Sequence, residues 1–176
     1  MKIIKPFIIL NIFLFCLKTY AQNCTFEKNE IDKFTKKVNK VTAPALVCSG
    51  LEKKEVRMKI KTIEFRAIND NGYFLDLMIT YSVWSKARCL MAANHSKITF
   101  LLANGETITV PITTTESYTE TPIGYIYHTK IAIPNENTLK LKKQNVTDIR
   151  IEAWQNPIDF KVENTSAIRD IFTCVD

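Results

Sequence analysis

The side chains able to do chemistry are few, and their spacing decides which chemistry is open to them. Five cysteines occur, Cys16, Cys24, Cys48, Cys89 and Cys174. No two stand as C-x-x-C, the spacing that grips zinc or runs thiol exchange. Long gaps between four of them, Cys24, Cys48, Cys89 and Cys174, suit two disulfides in an oxidising compartment. Three connectivities are open, and spacing does not choose among them. The two histidines, His95 and His128, have no ligand partner at metal-binding spacing. Each reads as a solvated side chain, with a ligand or general-base role as the alternative. Asp70 between Asn69 and Asn71 has the composition of a turn. The sequence holds no nucleophile elbow, Gly-rich phosphate loop, H-E-x-x-H or calcium loop. No metal and no cofactor is expected. A carboxylate pair assembled from distant strands is the one hydrolytic arrangement left open.

The two tryptophans are the remaining functional hint. Trp154 shares the outward phase of Arg150 and Glu152, and Trp84 lies opposite the apolar set of its strand. Such residues stack on sugar rings or anchor a protein partner. Cover by another element is the alternative. Trp84 and Trp154 are therefore the candidate binding residues.

The elements that must position these groups follow a segment expected to be removed. Lys2 and Lys5 precede an apolar run from Pro6 to Leu17, followed by Thr19-Tyr20-Ala21. This is the layout of an export signal over residues 1–21, and the run is shorter than the ~20 residues that span a bilayer. A retained anchor is the alternative. Cleavage after Ala21 removes Cys16, Lys2, Lys5 and Lys18 and no acid, which lowers the net charge from +6 to +3. Half of the basicity is thus targeting information, and no nucleic-acid partner is expected. The clusters Lys36, Lys37, Lys40 and Lys140, Lys142, Lys143 read as solvated faces.

The 176 residues, 46% hydrophobic and 24% charged, exclude a disordered tail and fit one domain over residues 22–176. Period-two alternation recurs throughout, as β-strands require. Tyr73, Leu75, Leu77, Ile79, Tyr81 and Val83 share one face of a strand predicted over 73–84. In the preceding strand the apolar phase switches between Ile60 and Ile63, which predicts a β-bulge near Lys61-Thr62. The strands Ile98–Leu102 and Glu106–Ile112 flank Asn104-Gly105. A two-residue loop would put their apolar sets on opposite faces. A three-residue loop pairs Phe100 with Ile108 and Ile98 with Val110, predicting a type I turn with Gly105 left-handed in a G1 bulge. Pro111 marks an edge or bulge.

The polar stretch 113–121 is expected to be a loop, and residues 123–133 another strand with His128 and Lys130 outward. Residues 134–145 form a connection with a helical turn around Thr138–Lys142. A hairpin follows around Gln155-Asn156-Pro157. Asn164-Thr165-Ser166 offers caps for a short C-terminal helix carrying Ile168, Ile171, Phe172 and Val175 inward, with Cys174 near its end. Over 29–47 the pattern Ile31, Phe34, Val38, Val41 suits a helix, whereas a turn at Lys36-Lys37 between short strands suits a hairpin, the preferred reading. The fold expected is an antiparallel β-sandwich or partly closed barrel with a short C-terminal helix.

With the signal end at Thr19-Tyr20-Ala21-Gln22, the stretches NEIDKFTKK (29–37), SKITFLLANGETITV (96–110) and VTDIRIEAW (146–154), and the cysteine-bearing final helix, the chain resembles small uncharacterised exported proteins of Bacteroidetes-type bacteria. The resemblance covers most of the mature chain and rests on structural motifs. It implies export and an all-β body, and it carries no active-site residues. In such a host the sequons at Asn23, Asn94, Asn145 and Asn164 carry little weight. The function expected is an exported, non-catalytic binding module, secreted or periplasmic, with a protein or glycan of the cell envelope as partner. An inhibitor or immunity-like protein that blocks one protein partner, and a hydrolase of cell-surface polymers, are the alternatives.

Overall fold

Residues 24–53, 58–83, 96–112, 116–122, 124–152 and 157–176 are described by a computed structural model of the chain. Alternation dominates, and strands follow from it: β1 (Phe26–Ile31), β2 (Val38–Thr42), β3 (Ala45–Lys53), β4 (Met58–Asp70), β5 (Tyr73–Val83), β6 (Lys97–Leu102), β7 (Thr107–Pro111), β8 (Glu116–Thr121), β9 (Gly124–Ile133), β10 (Val146–Glu152) and β11 (Ile158–Lys161). Two helices interrupt them, α1 (Asn135–Lys143) and α2 (Ala167–Cys174). The strands form two antiparallel sheets that curl into a half-barrel. The larger runs β1-β2-β4-β5-β9-β8, and the smaller runs β11-β10-β6-β7. The long β4 serves two partners on one side: β3 pairs along Met58–Phe65, and β2 pairs at Ile68–Asp70.

Side chains from both sheets meet in one core. Phe65 of β4 faces Phe100 of β6 across the gap, with ring centroids 6.3 Å apart and planes tilted by 59°. Tilted pairs of this kind bring the electropositive ring edge towards the other ring's face. Leu75, Leu77 and Ile79 from β5 and Ile98 and Ile149 from the smaller sheet are fully or almost fully buried around them. The predicted bulge is present: Ile60 pairs with Tyr81 and Thr62 with Thr80, so Lys61 is the extra residue that changes the phase. Without it, Ile60 and Ile63 could not both point inward.

The β6–β7 hairpin has the expected register, Ile98 opposite Val110 and Phe100 opposite Ile108. The Gly105 N–H donates to the Leu102 carbonyl at 2.9 Å, and Gly105 has φ +86°. Pro111 lies in β7, the outer strand of its sheet, where its missing N–H costs no ladder bond.

Three expectations need correction. The polar stretch 113–121 is not simply a loop: Glu116–Thr121 forms β8 and pairs along β9. Its threonines suit a pleated strand, and its polarity reflects an outer position with Ser117, Thr119 and Glu120 exposed. The 134–145 connection holds more than one helical turn. Helix α1 buries Thr138 and Leu141, and it has Glu136 in the first turn and lysines in the last, matching its dipole. At α2, Ser166 occupies the N-cap position without a side-chain capping bond, because its hydroxyl instead donates to Asp170 Oδ2 at 2.7 Å. The inward set Ile168, Ile171, Phe172 and Val175 is buried as expected.

Candidate interaction surface

The segment 24–43 builds an arm. After Phe26, every residue of β1 is exposed, so neither face of this strand is packed on the core. The arm is held at its base. Thr42 is buried, and its hydroxyl accepts the Ala67 N–H at 3.0 Å. The Ala43 N–H donates to the Thr25 carbonyl at 2.8 Å. Immediately beside it, Cys24 is bonded to Cys174 at the end of α2, a link across 150 residues of sequence. Asn69 donates to the Val175 carbonyl at 2.8 Å, and Lys40 reaches the Asp176 carbonyl. Lys142 and Tyr73 converge on the Asp176 side chain. The Lys142 ammonium holds the Asp176 carboxyl below the ordinary aspartate range.

The tip is ordered by one side chain. Asp32 Oδ1 accepts the Thr35 N–H at 2.6 Å, the Thr35 hydroxyl at 2.8 Å and the Phe34 N–H at 3.0 Å. The backbone closes the same turn, with Lys36 N–H donating to the Asp32 carbonyl and Asp32 N–H to the Lys37 carbonyl, each at 2.9 Å. Lys36 adopts φ +58° to complete it. These bonds, led by the Thr35 N–H and hydroxyl, draw the Asp32 carboxyl below the ordinary aspartate range. The turn leaves Phe34 95% exposed and Ile31 63% exposed. Lys33, Lys36 and Lys37, all exposed, surround the ring in sequence. Below the tip a hollow of about 510 Å³ is lined by Ile31, Asp32, Val38, Asn39 and Asp70 among others.

A second polar cluster lies on the outward face of the larger sheet. Asp76 and His128 occupy adjacent strands, with Asp76 Oδ1 2.5 Å from His128 Nε2. The carboxylate is nearly buried while the imidazole is half exposed. Arg66 and Lys130 stand opposite Asp76 on its two neighbouring strands, so cations flank it on both sides. Arg66 also pairs with Glu27 at 3.0 Å, and Lys130 sits 4.0 Å over the Phe74 ring. This alternation offsets the cost of holding a carboxylate under its neighbours. His128 is thus an outward strand residue, as its phase predicts, with the Asp76 carboxylate as its neighbour.

Of the residues marked out by sequence, Cys24 and Cys174 are brought together. Cys48 is a buried residue of β3. Cys89, His95, Trp84 and Trp154 lie outside the described residues. Sequence reasoning passed over Asp32 and Asp76 and took Phe34 only as one residue of an apolar pattern. Asp32 followed by Thr35 is the local signal for the turn that exposes Phe34. The clusters Lys36–Lys40 and Lys140–Lys143 are not uniform solvated faces, because Lys40 and Lys142 fasten Asp176 while Lys140 meets Glu106 at 3.7 Å. Among the described residues no group of three or more His, Cys, Asp or Glu is placed to hold a metal, and no helix is long and apolar enough to cross a membrane. The chain matches no protein-family model, no curated protein and no solved structure.

Proposed function

We propose that this chain is an exported, non-catalytic binding module of the cell envelope, and that the β1–β2 arm is its recognition element with Phe34 as the anchor. The observation that carries the reading is the pre-ordered turn that holds a 95% exposed phenylalanine away from the core. Aromatic anchors dominate binding energy, and an anchor already fixed in place avoids much of the ordering cost of association. The Cys24–Cys174 bond supports an oxidising destination, secreted or periplasmic, reached through the signal at residues 1–21.

The test is a crosslinking pull-down of the mature, oxidised protein from its own cell envelope. Phe34→Ser is expected to lose the captured partner by roughly 30-fold or more in affinity, the scale of an aromatic hot spot, with an unchanged unfolding midpoint. Undiminished recovery by that variant would remove the arm from the reading. If Trp84→Ala or Trp154→Ala abolishes recovery of polysaccharide instead, recognition belongs to the tryptophans and a glycan. The maturation half of the reading is checked by intact mass. Residues Gln22 to Asp176 less four hydrogens are expected, with Cys48 and Cys89 forming the second disulfide, and alkylation of the unfolded protein should find no thiol.

A further inference from the structure

We infer that the arm tip is a wedge for the headgroup layer of an anionic phospholipid bilayer. The inference rests on the arm being the recognition element and names its partner. Three features of the tip favour lipid over a protein pocket. The first is charge: Lys33, Lys36 and Lys37 are all exposed and bracket Phe34, and they outnumber the one nearby acid without a cationic partner, Asp32. Glu30 pairs with Lys28 at 3.2 Å, and the Asp32 carboxylate already accepts three donors in the turn. Lysines beside an apolar side chain are the arrangement that anionic membrane surfaces attract.

The second feature is the backbone. A tip that enters an interface poor in water must not strand its amides. The N–H groups of Asp32, Phe34, Thr35 and Lys36 are all bonded inside the turn. Those four donors need no water, which lowers the cost of carrying Phe34 towards the acyl boundary. The third is size. A stable protein interface takes roughly 800 Å² from each partner, and one aromatic side chain supplies about 150–250 Å². The six-residue turn Asp32–Lys37 with its one exposed ring offers too little surface for that, while a fluid bilayer closes around a single ring.

The experiment is flotation of the mature, oxidised protein with vesicles of phosphatidylglycerol and phosphatidylcholine in equal parts, against vesicles of phosphatidylcholine alone. Binding to the anionic vesicles only is expected, falling about five-fold for each of Lys33→Gln, Lys36→Gln and Lys37→Gln and weakening with added salt. Phe34→Ser should reduce it by ten-fold or more with folding intact. Phe34→Trp should keep it and add emission, beyond that of the unsubstituted protein, that brominated lipid quenches. Equal binding to neutral vesicles, no effect of Phe34→Ser, or no added quenching for Phe34→Trp overturns the inference. A photocrosslinker at position 34 separates the two failures. If vesicles do not bind but position 34 crosslinks to one envelope protein, the lipid assignment is wrong and the binding role of the arm stands. If neither occurs, both fall.

Discussion

Two glycines separate backbone conformation from crowding. Gly105 has φ +86° with open space around an added Cβ, so Gly105→Ala tests the left-handed conformation alone. A loss of about 1 kcal/mol is expected from the unfolding midpoint. Gly124 has φ +140°, and a Cβ there would lie 2.3 Å from the Tyr81 carbonyl oxygen, a backbone atom of the neighbouring strand. That strand would have to move, so Gly124→Ala is expected to cost roughly 3 kcal/mol or more. Equal effects at the two sites would refute the distinction. At the arm tip the acid dependence lies with Asp32. Its carboxyl titrates below the ordinary range, led by the Thr35 N–H and then the Thr35 hydroxyl. A depressed folded value means that its contribution is fully present above the unfolded aspartate value and is lost as pH falls through the folded one. In an NMR titration, Thr35→Val should raise the Asp32 value towards the ordinary one without reaching it, because the two amide donors remain.

At the level of elements, the Cys24–Cys174 bond joins the arm base to α2 and closes a loop of about 150 residues. In the chain-entropy account such a loop is worth up to ~5 kcal/mol. Cys24→Ser combined with Cys174→Ser should approach that loss in denaturant unfolding, and a loss under ~1 kcal/mol would mean that the unfolded chain already keeps its two ends close, leaving the bond little entropy to remove. The elements that sequence made plain are those with one wet face and one dry one. The β6–β7 hairpin was legible down to its turn, because only one register puts Ile98, Phe100, Ile108 and Val110 on a single face. The bulge at Lys61 was legible for the same reason. Strand β8 was not, since an outer strand with exposed polar side chains lacks the alternation that reveals its neighbours. The arm was legible only as a hairpin. Its prominence depends on β1 projecting past the core, and no local pattern encodes how far a strand extends beyond its partners. Asp76 was hidden differently: its significance comes from Arg66 and Lys130 on two other strands, a relation only the sheet order creates.

For the molecule as a whole, the two sheets share one core and the two helices close around it, with α2 packed against α1, β3 and β4. The arm is exposed along β1 and yet tied at three levels. Its tip is ordered by Asp32, its middle by the β2–β4 pairing, and its base by a covalent bond and the contacts of Asp176. The disulfide has a mechanical consequence. Tension applied to the chain outside Cys24 and Cys174 passes through that bond and bypasses every strand and helix between them. About 500 Å of contour, at ~3.5 Å per residue, is shielded from stretching as long as the bond is intact. A protein held at one end and pulled at the other would transmit the load like a short link and keep both sheets folded, and reduction would put that load on the sheets themselves.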